Sequence, residues 1–286
     1  MNIQWYPGHM TKAKRNMQGY GKMIDLCIVL LDARVPASSA NPDLEILFKD
    51  KPVLYILNKS DLADDKVTQQ WISEFKKQGK AMIAVSCNAE FKIDRIIAAV
   101  KELMKEKIQK NEEKGIQKTI KVMVTGIPNV GKSTFINRMA KRKGAKTGDR
   151  PGVTKGVQWI KISTELELLD TPGLLWPRFD DETVGIHLAS IGSINDNILD
   201  REELVCKLID ILKEDYSERL RERYKLKTLE GKLSYDVLTE IGRNRGFVIR
   251  GGEVDTLRAA NILLDEYRGG VLGRISLEQP RSVRKM

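Results

Sequence analysis

The hydrophobic and polar positions divide the chain into two unlike parts. Up to Leu169, short apolar runs alternate with helix-spaced segments; beyond Trp176-Pro177 only helix-spaced segments remain. Leu26 to Leu31 (LCIVLL) and Val53 to Leu57 (VLYIL) are nearly unbroken apolar runs, the pattern of strands buried on both faces. Ala81 to Val85 and Ile120 to Thr125 read as further strands, and Val157 to Ile162 and Leu166 to Leu169 as a pair. Lys66 to Gln78 predicts an amphipathic helix. Ile93 to Lys110 predicts a longer one, with Ile93, Ile96, Ile97, Val100, Leu103 and Met104 on one face. Asp43 is placed to cap a short helix, Leu44 to Lys49. Asn111 to Lys118 is polar, holds Gly115 and reads as a linker. This alternation predicts an α/β domain over 1–178, with residues 1–22 as a basic arm. Val184 to Ile194, Arg201 to Lys213, Tyr216 to Arg223, Tyr235 to Gly242 and Val254 to Tyr267 predict a smaller all-α domain over 179–286.

Composition narrows the class. Hydrophobic residues make up 41% of the 286 and charged residues 31%, a soluble balance with enough apolar material for a core. No apolar run approaches the roughly 20 residues of a membrane span, and the N-terminal stretch has no apolar signal-peptide core. The three cysteines, Cys27, Cys87 and Cys206, are widely spaced, which indicates neither a disulfide framework nor a zinc site. A cytoplasmic protein with no stable membrane association is expected. The net charge of +10 suits a polyanionic partner. Lys12, Lys14, Arg15 and Lys22 surround Trp5, Tyr6 and His9 in the arm, and arginines at 243, 245, 250, 258, 268, 274, 281 and 284 predict a basic surface on the helical part.

The chemistry lies in the loops that follow the apolar runs. Gly126 to Thr134 (GIPNVGKST) fits the phosphate-binding loop and stands between a strand and a helix, Ser133 to Lys141, as that motif requires. Its glycines let successive N–H groups of Asn129, Val130, Gly131, Lys132, Ser133 and Thr134 face a phosphate; Lys132 can reach the β- and γ-phosphates and Ser133 can ligate Mg²⁺. Asn58-Lys59-Ser60-Asp61 fits N-K-x-D after a buried strand. Asp61 can accept the two adjacent donors of guanine, a pair adenine lacks, while the Lys59 stem can lie across the ring and Asn58 can bond the base edge or tie down the loop. Ser86-Cys87-Asn88 can offer backbone N–H groups to the guanine oxygen. Asp170 and Gly173 fit D-x-x-G, with Asp170 holding Mg²⁺ through water and the Gly173 N–H sensing a γ-phosphate; Thr154, in the loop Gly148 to Gly156, would complete the metal shell.

These are the parts of a GTPase in an unusual order: guanine motif, Ser86 region, phosphate loop, Thr154, D-x-x-G. The chain resembles the circularly permuted GTPases, and among them the ribosome biogenesis GTPase A (RbgA/YlqF) family. The likeness takes in Trp5-Tyr6-Pro7-Gly8-His9-Met10, Asp32-Ala33-Arg34, Asn41-Pro42, the nucleotide motifs and the helical C-terminal region. The resemblance implies Mg-dependent GTP hydrolysis by a factor that binds a precursor of the large (50S) ribosomal subunit late in its maturation and touches rRNA. A monomer is expected off the ribosome. A GTPase acting on another RNA such as tRNA, and a nucleotide-gated RNA-binding module, are the alternatives. Leu174 and Leu175 follow the D-x-x-G glycine where small GTPases often carry a water-orienting glutamine, so intrinsic hydrolysis should be slow and need a group from elsewhere. His9 is the first candidate, because His187, the other histidine, falls in a predicted helix. Asn129 is the second: it resembles the asparagine that holds K⁺ in some bacterial GTPases.

Overall fold

The computed structural model describes residues 15, 17–89, 91–140, 158–177, 179 and 181–280. Six strands form one sheet: β1 (Leu26–Asp32), β2 (Val53–Asn58), β3 (Ala81–Ala84), β4 (Ile120–Gly126), β5 (Gln158–Lys161) and β6 (Leu166–Asp170), in the order β3-β2-β1-β4-β6-β5. All neighbours are parallel except β5 and β6, which pair antiparallel. Every residue of β1 is buried, which is why its sequence is an unbroken apolar run and not an alternating one. The chain first steps from β1 outward to β2 and β3, then crosses back to β4 on the other side of β1. Strand order therefore reverses between β1 and β4, and open α/β sheets bind ligands beyond the carboxyl ends of the strands at such a point.

Local chemistry explains the helices, and in two places it corrects the sequence-based expectation. Helix α1 (Pro42–Leu47) is capped by Asn41, whose side chain accepts from the Asp43 N–H, and not by Asp43 itself. Pro42 takes the first helical position, where its missing N–H is of no consequence. The second, α2 (Asp65–Lys77), is capped by Asp64 and buries Val67, Trp71 and Phe75 at helical spacing. The expected single helix from Ile93 is two, α3 (Ile93–Leu103) and α4 (Lys105–Glu112), joined at Met104. Met104 is buried but α4 buries no residue, so the core guides the helix only to the joint. After β4 comes α5 (Lys132–Met139).

The helical part comprises α6 (Glu182–Ser190), a 3₁₀ turn at Asp196–Ile198, α7 (Arg201–Asp215), α8 (Ser217–Tyr224), α9 (Ser234–Asn244) and α10 (Thr256–Arg268). Leu204, Leu208 and Leu212 of α7, Val237, Leu238 and Ile241 of α9, and Ala260, Leu263 and Leu264 of α10 are buried in one apolar core. A single antiparallel bridge, Val248 to Val254, is the one strand-like contact of this part among the described residues. The arginine surface is smaller than expected. Arg268 is spent on Asp196 and the carbonyls of Ala189 and Ser190, and Arg274 on Asp65 and the carbonyls of Ser60 and Ala63. Arg245 pairs with Glu266, while Arg281 and Arg284 lie outside the described residues. No helix among the described residues is long and apolar enough to cross a membrane.

Candidate active site

Strand register assembles the site. Asp32 pairs with Asn58 across β1 and β2, and Leu30 with Gly126 across β1 and β4, so the loops leaving these three strands open side by side. In the phosphate loop Asn129 (φ 57°) and Gly131 (φ 92°) are both left-handed, which curls the backbone as the motif predicts. A Cβ at Gly131 would sit 2.4 Å from Asn58 Nδ2. The glycine is therefore needed both for its backbone angle and for the approach of the N-K-x-D loop. The Asn58 amide donates to the Val130 carbonyl at 2.7 Å, and Lys59 Nζ donates to the Asn129 carbonyl at 2.7 Å. Two motifs some 70 residues apart in the chain thus form one surface.

The N-K-x-D end has unmet hydrogen-bonding capacity. Asn58 Oδ1 and Asp61 Oδ1 are buried without a partner. Leaving a buried acceptor unpaired costs about 1–3 kcal/mol, and these two suit a purine edge that presents adjacent N–H donors. Ser86 Oγ accepts from the Ala89 N–H at 3.1 Å, which shapes the Ser86-Cys87-Asn88 turn. Arg138 of α5 grips the same turn, donating to the carbonyls of Cys87 at 2.8 Å and Ala89 at 3.2 Å. Burial pushes the Cys87 thiol up to about 12, so it stays neutral and leaves its backbone to meet a ligand.

At the phosphate end Lys132 Nζ lies 2.6 Å from Asp170 Oδ1, both buried. Ser133 follows Lys132 in the first turn of α5. A Cβ on Gly173 would come within 3.0 Å of Pro128 backbone atoms, so the D-x-x-G turn packs directly on the phosphate loop. The Leu174 N–H donates to the Gly126 carbonyl at 3.0 Å, and Leu174 and Leu175 are buried. Their side chains serve the core and not water. Among the described residues no group of three or more His, Cys, Asp or Glu could cage a metal. The oxygen donors Ser133 and Asp170 fit instead a hard cation held largely by phosphate and water, as Mg²⁺ is.

His9 and Thr154 lie outside the described residues. His187 has a structural place in α6: its Nδ1 is 3.0 Å from both Ser38 Oγ and Glu278 Oε1.

A buried ionic group behind the guanine loop is absent from the motif reading. Asp32 accepts from Arg34 Nε at 2.9 Å and Nη2 at 2.8 Å, and lies 3.2 Å from Lys59 Nζ. Burial opposes its charge, but Arg34 and Lys59 together hold its carboxyl well below the usual carboxylate range. The same burial pushes Lys59 down, an effect that Arg34 adds to and Asp32 partly offsets. Arg34 also stacks on Tyr267 of α10, 5.4 Å from the ring centroid. The fragment Asp32-Ala33-Arg34 was the signal available, but it does not reveal that Lys59 and Tyr267 are the partners.

The family model described as 50S ribosome-binding GTPase matches residues 121–237, from the phosphate-loop strand into the helical part. Ribosome biogenesis GTPase A of Bacillus cereus is 46% identical over 281 residues, which is 98% of this chain and 95% of that protein. The chain belongs to the ribosome biogenesis GTPase A family. Mitochondrial ribosome-associated GTPase 1 of Mus musculus is 29% identical, over 96% of this chain and 90% of that one. The crystal structure of GNP-bound YlqF from T. maritima superposes with a TM-score of 0.70 at 26% identity, covering 94% of this chain and 98% of that one. In this GTPase the fold is the circularly permuted one: guanine motif first, phosphate loop second, D-x-x-G third, helices last.

Proposed function

We propose that this GTPase is an Mg-dependent switch that binds a precursor of the large ribosomal subunit, contacts rRNA through its helical part and N-terminal arm, and is released after hydrolysis. The observation that carries the nucleotide reading is the joining of the N-K-x-D and phosphate loops through Asn58 and Lys59, with Asn58 Oδ1 and Asp61 Oδ1 buried and unpaired. In this reading Asn58, Lys59 and Asp61 take guanine and the Ser86-Cys87-Asn88 backbone takes its oxygen. The N–H groups from Asn129 to Thr134, with Lys132, hold the phosphates, and the Gly173 N–H senses the third. Ser133, Thr154 and Asp170 would hold Mg²⁺, which supplies charge neutralisation at the phosphates. Binding of phosphate draws Lys132 from Asp170 and frees that carboxylate. Hydrolysis is assisted by His9 or by a K⁺ held at Asn129, since Leu174 cannot orient water.

The ribosomal assignment rests on the family and on a net charge of +10. Co-sedimentation with large-subunit precursors tests it, using GTP, GDP and a non-hydrolysable analogue in parallel. The protein should pellet with the particles in the analogue state, and GDP should weaken the association. Failure to co-sediment with any nucleotide would overturn the ribosomal reading, and binding to tRNA in place of the particle would redirect it.

A further inference from the structure

The last described residues cross from the helical part to the guanine half of the sheet. Leaving α10, the segment Arg274 to Glu278 runs along the loop that carries N-K-x-D. Arg274 donates from Nε to the Ala63 carbonyl at 2.8 Å and from Nη2 to the Ser60 carbonyl at 2.7 Å, and its guanidinium also pairs with Asp65. The Ile275 N–H donates to the Leu62 carbonyl at 2.9 Å, and Ser276 Oγ accepts from the Asp64 N–H at 3.1 Å. The Leu277 N–H donates to the Arg34 carbonyl at 2.9 Å. Glu278 closes the run, its carboxylate accepting from the N–H groups of Ala37 at 2.7 Å and Ser38 at 2.9 Å and its carbonyl accepting from Trp71 Nε1 at 3.1 Å.

Asp61 is thus flanked by carbonyls, Ser60 and then Leu62 and Ala63, that are all anchored to this strap. Within its own half the turn has two further backbone ties, Ser60 N–H to the Val85 carbonyl and Leu62 N–H to the Lys59 carbonyl. A loop with its chain ends fixed by β2 and α2 but its turn held from outside depends on the outside contact for its geometry. A carboxylate that must meet two donors at once is sensitive to small shifts.

We infer that the Arg274–Glu278 strap positions Asp61, with Arg274 as the chief positioning residue for guanine discrimination; the inference rests on the reading of Asn58 to Asp61 as the base-recognition loop. The helical part then sets how tightly the nucleotide base is read, and a partner that pulls on that part loosens the nucleotide at the end opposite the phosphates. Because binding is coupled both ways, nucleotide binding stiffens the docking of the helical part in return.

The test compares GDP with IDP on the full-length protein. Hypoxanthine keeps the ring N–H but lacks the exocyclic amine, so Asp61 has only one contact to lose with IDP and two with GDP. Fluorescent-nucleotide displacement should show GDP affinity of Arg274→Ala falling about tenfold, the loss of one charge-assisted contact. IDP affinity should fall by no more than about threefold, so the IDP/GDP ratio narrows. Arg274→Lys, able to reach one carbonyl, should restore part of the ratio. Where Arg274→Ala does not fold by circular dichroism, Arg274→Lys and Ser276→Ala are read in the same assay and should narrow the ratio to a lesser degree. An equal loss for GDP and IDP, or no loss, would overturn the positioning role and leave a structural one. A wild-type protein that does not distinguish GDP from IDP would overturn the base-loop reading, and the inference with it.

Discussion

Replacing Asp32 by asparagine keeps the shape of a buried group while removing the charge that two cations share. Arg34, with 1% of its side chain exposed, then keeps its charge without a carboxylate, and one of its N–H donors faces an amide N–H₂ or must turn away. Lys59 Nζ, 3.2 Å from the same carboxylate, retains the Asn129 carbonyl as its acceptor among the described residues. Breaking a buried pair from one side costs about 3–5 kcal/mol, against a total stability of roughly 5–15 kcal/mol. At about 2–4 °C per kcal/mol for a chain of this size, the melting temperature should fall by roughly 6–20 °C near neutral pH. The pH dependence sharpens the test. A carboxyl with its folded pKa below its unfolded value stabilises fully above the unfolded pKa, about 3.9. That contribution is lost as the pH falls through the folded value. The wild-type and variant melting curves should therefore be separated by a constant gap from pH 7 to 5, and the gap should narrow below about pH 4, where the unfolded wild-type chain binds a proton at Asp32 that the folded carboxyl still refuses. Differential scanning fluorimetry across pH 7 to 3 measures both. A shift below about 2 °C at neutral pH, or a gap that stays constant at acid pH, would refute the assignment of Asp32 as the shared counter-ion.

Two further outcomes bear on the nucleotide itself. Asp61→Asn replaces an acceptor of two N–H donors by a group that both donates and accepts, so GDP affinity should drop by about a hundredfold, two charge-assisted contacts at about tenfold each, while XDP, with a carbonyl where guanine has its amine, should gain affinity; unchanged preference in the displacement assay would remove Asp61 from base reading. His9→Ala should leave GDP affinity within twofold and lower particle-stimulated phosphate release by at least about a hundredfold, the lower range of a positioned acid–base group. Normal stimulated turnover in that variant, with a dependence on K⁺ over Na⁺, would assign the catalytic help to Asn129.

What could be read from the sequence follows the range of the forces involved. The central strands were legible because burial on both faces leaves no polar position in β1, and the phosphate loop because left-handed turns and close approach demand glycine at Gly131 and Gly126. The break at Met104 was not, because the apolar face of Ile93 to Met104 continues helical spacing and only tertiary packing decides where it stops. Arg274 and Arg268 looked like surface cations; their acceptors are carbonyls and carboxylates from segments far away in the chain, and nothing in residue type distinguishes them from Arg243 or Arg250, which are exposed. The Asp32–Arg34–Lys59 group is hidden for the same reason: it exists because β1 and β2 pair Asp32 with Asn58, and register is not a property of either strand alone. Permutation itself was visible in motif order, since order survives where contacts do not.

The strap at Arg274 to Glu278 also bears on how the protein is made. Ser60 and Arg274 are separated by 214 residues, and Ala37 and Glu278 by 241. During synthesis at about 5–20 residues per second, the guanine loop leaves the ribosome roughly 10–40 s before the residues that hold it. The nascent sheet can pair β1, β2 and β3 in that interval, but its base-reading turn lacks its outer ties. On the inference drawn above, the base is read more weakly in that interval, and full discrimination for guanine follows only once Arg274 to Glu278 have joined the loop.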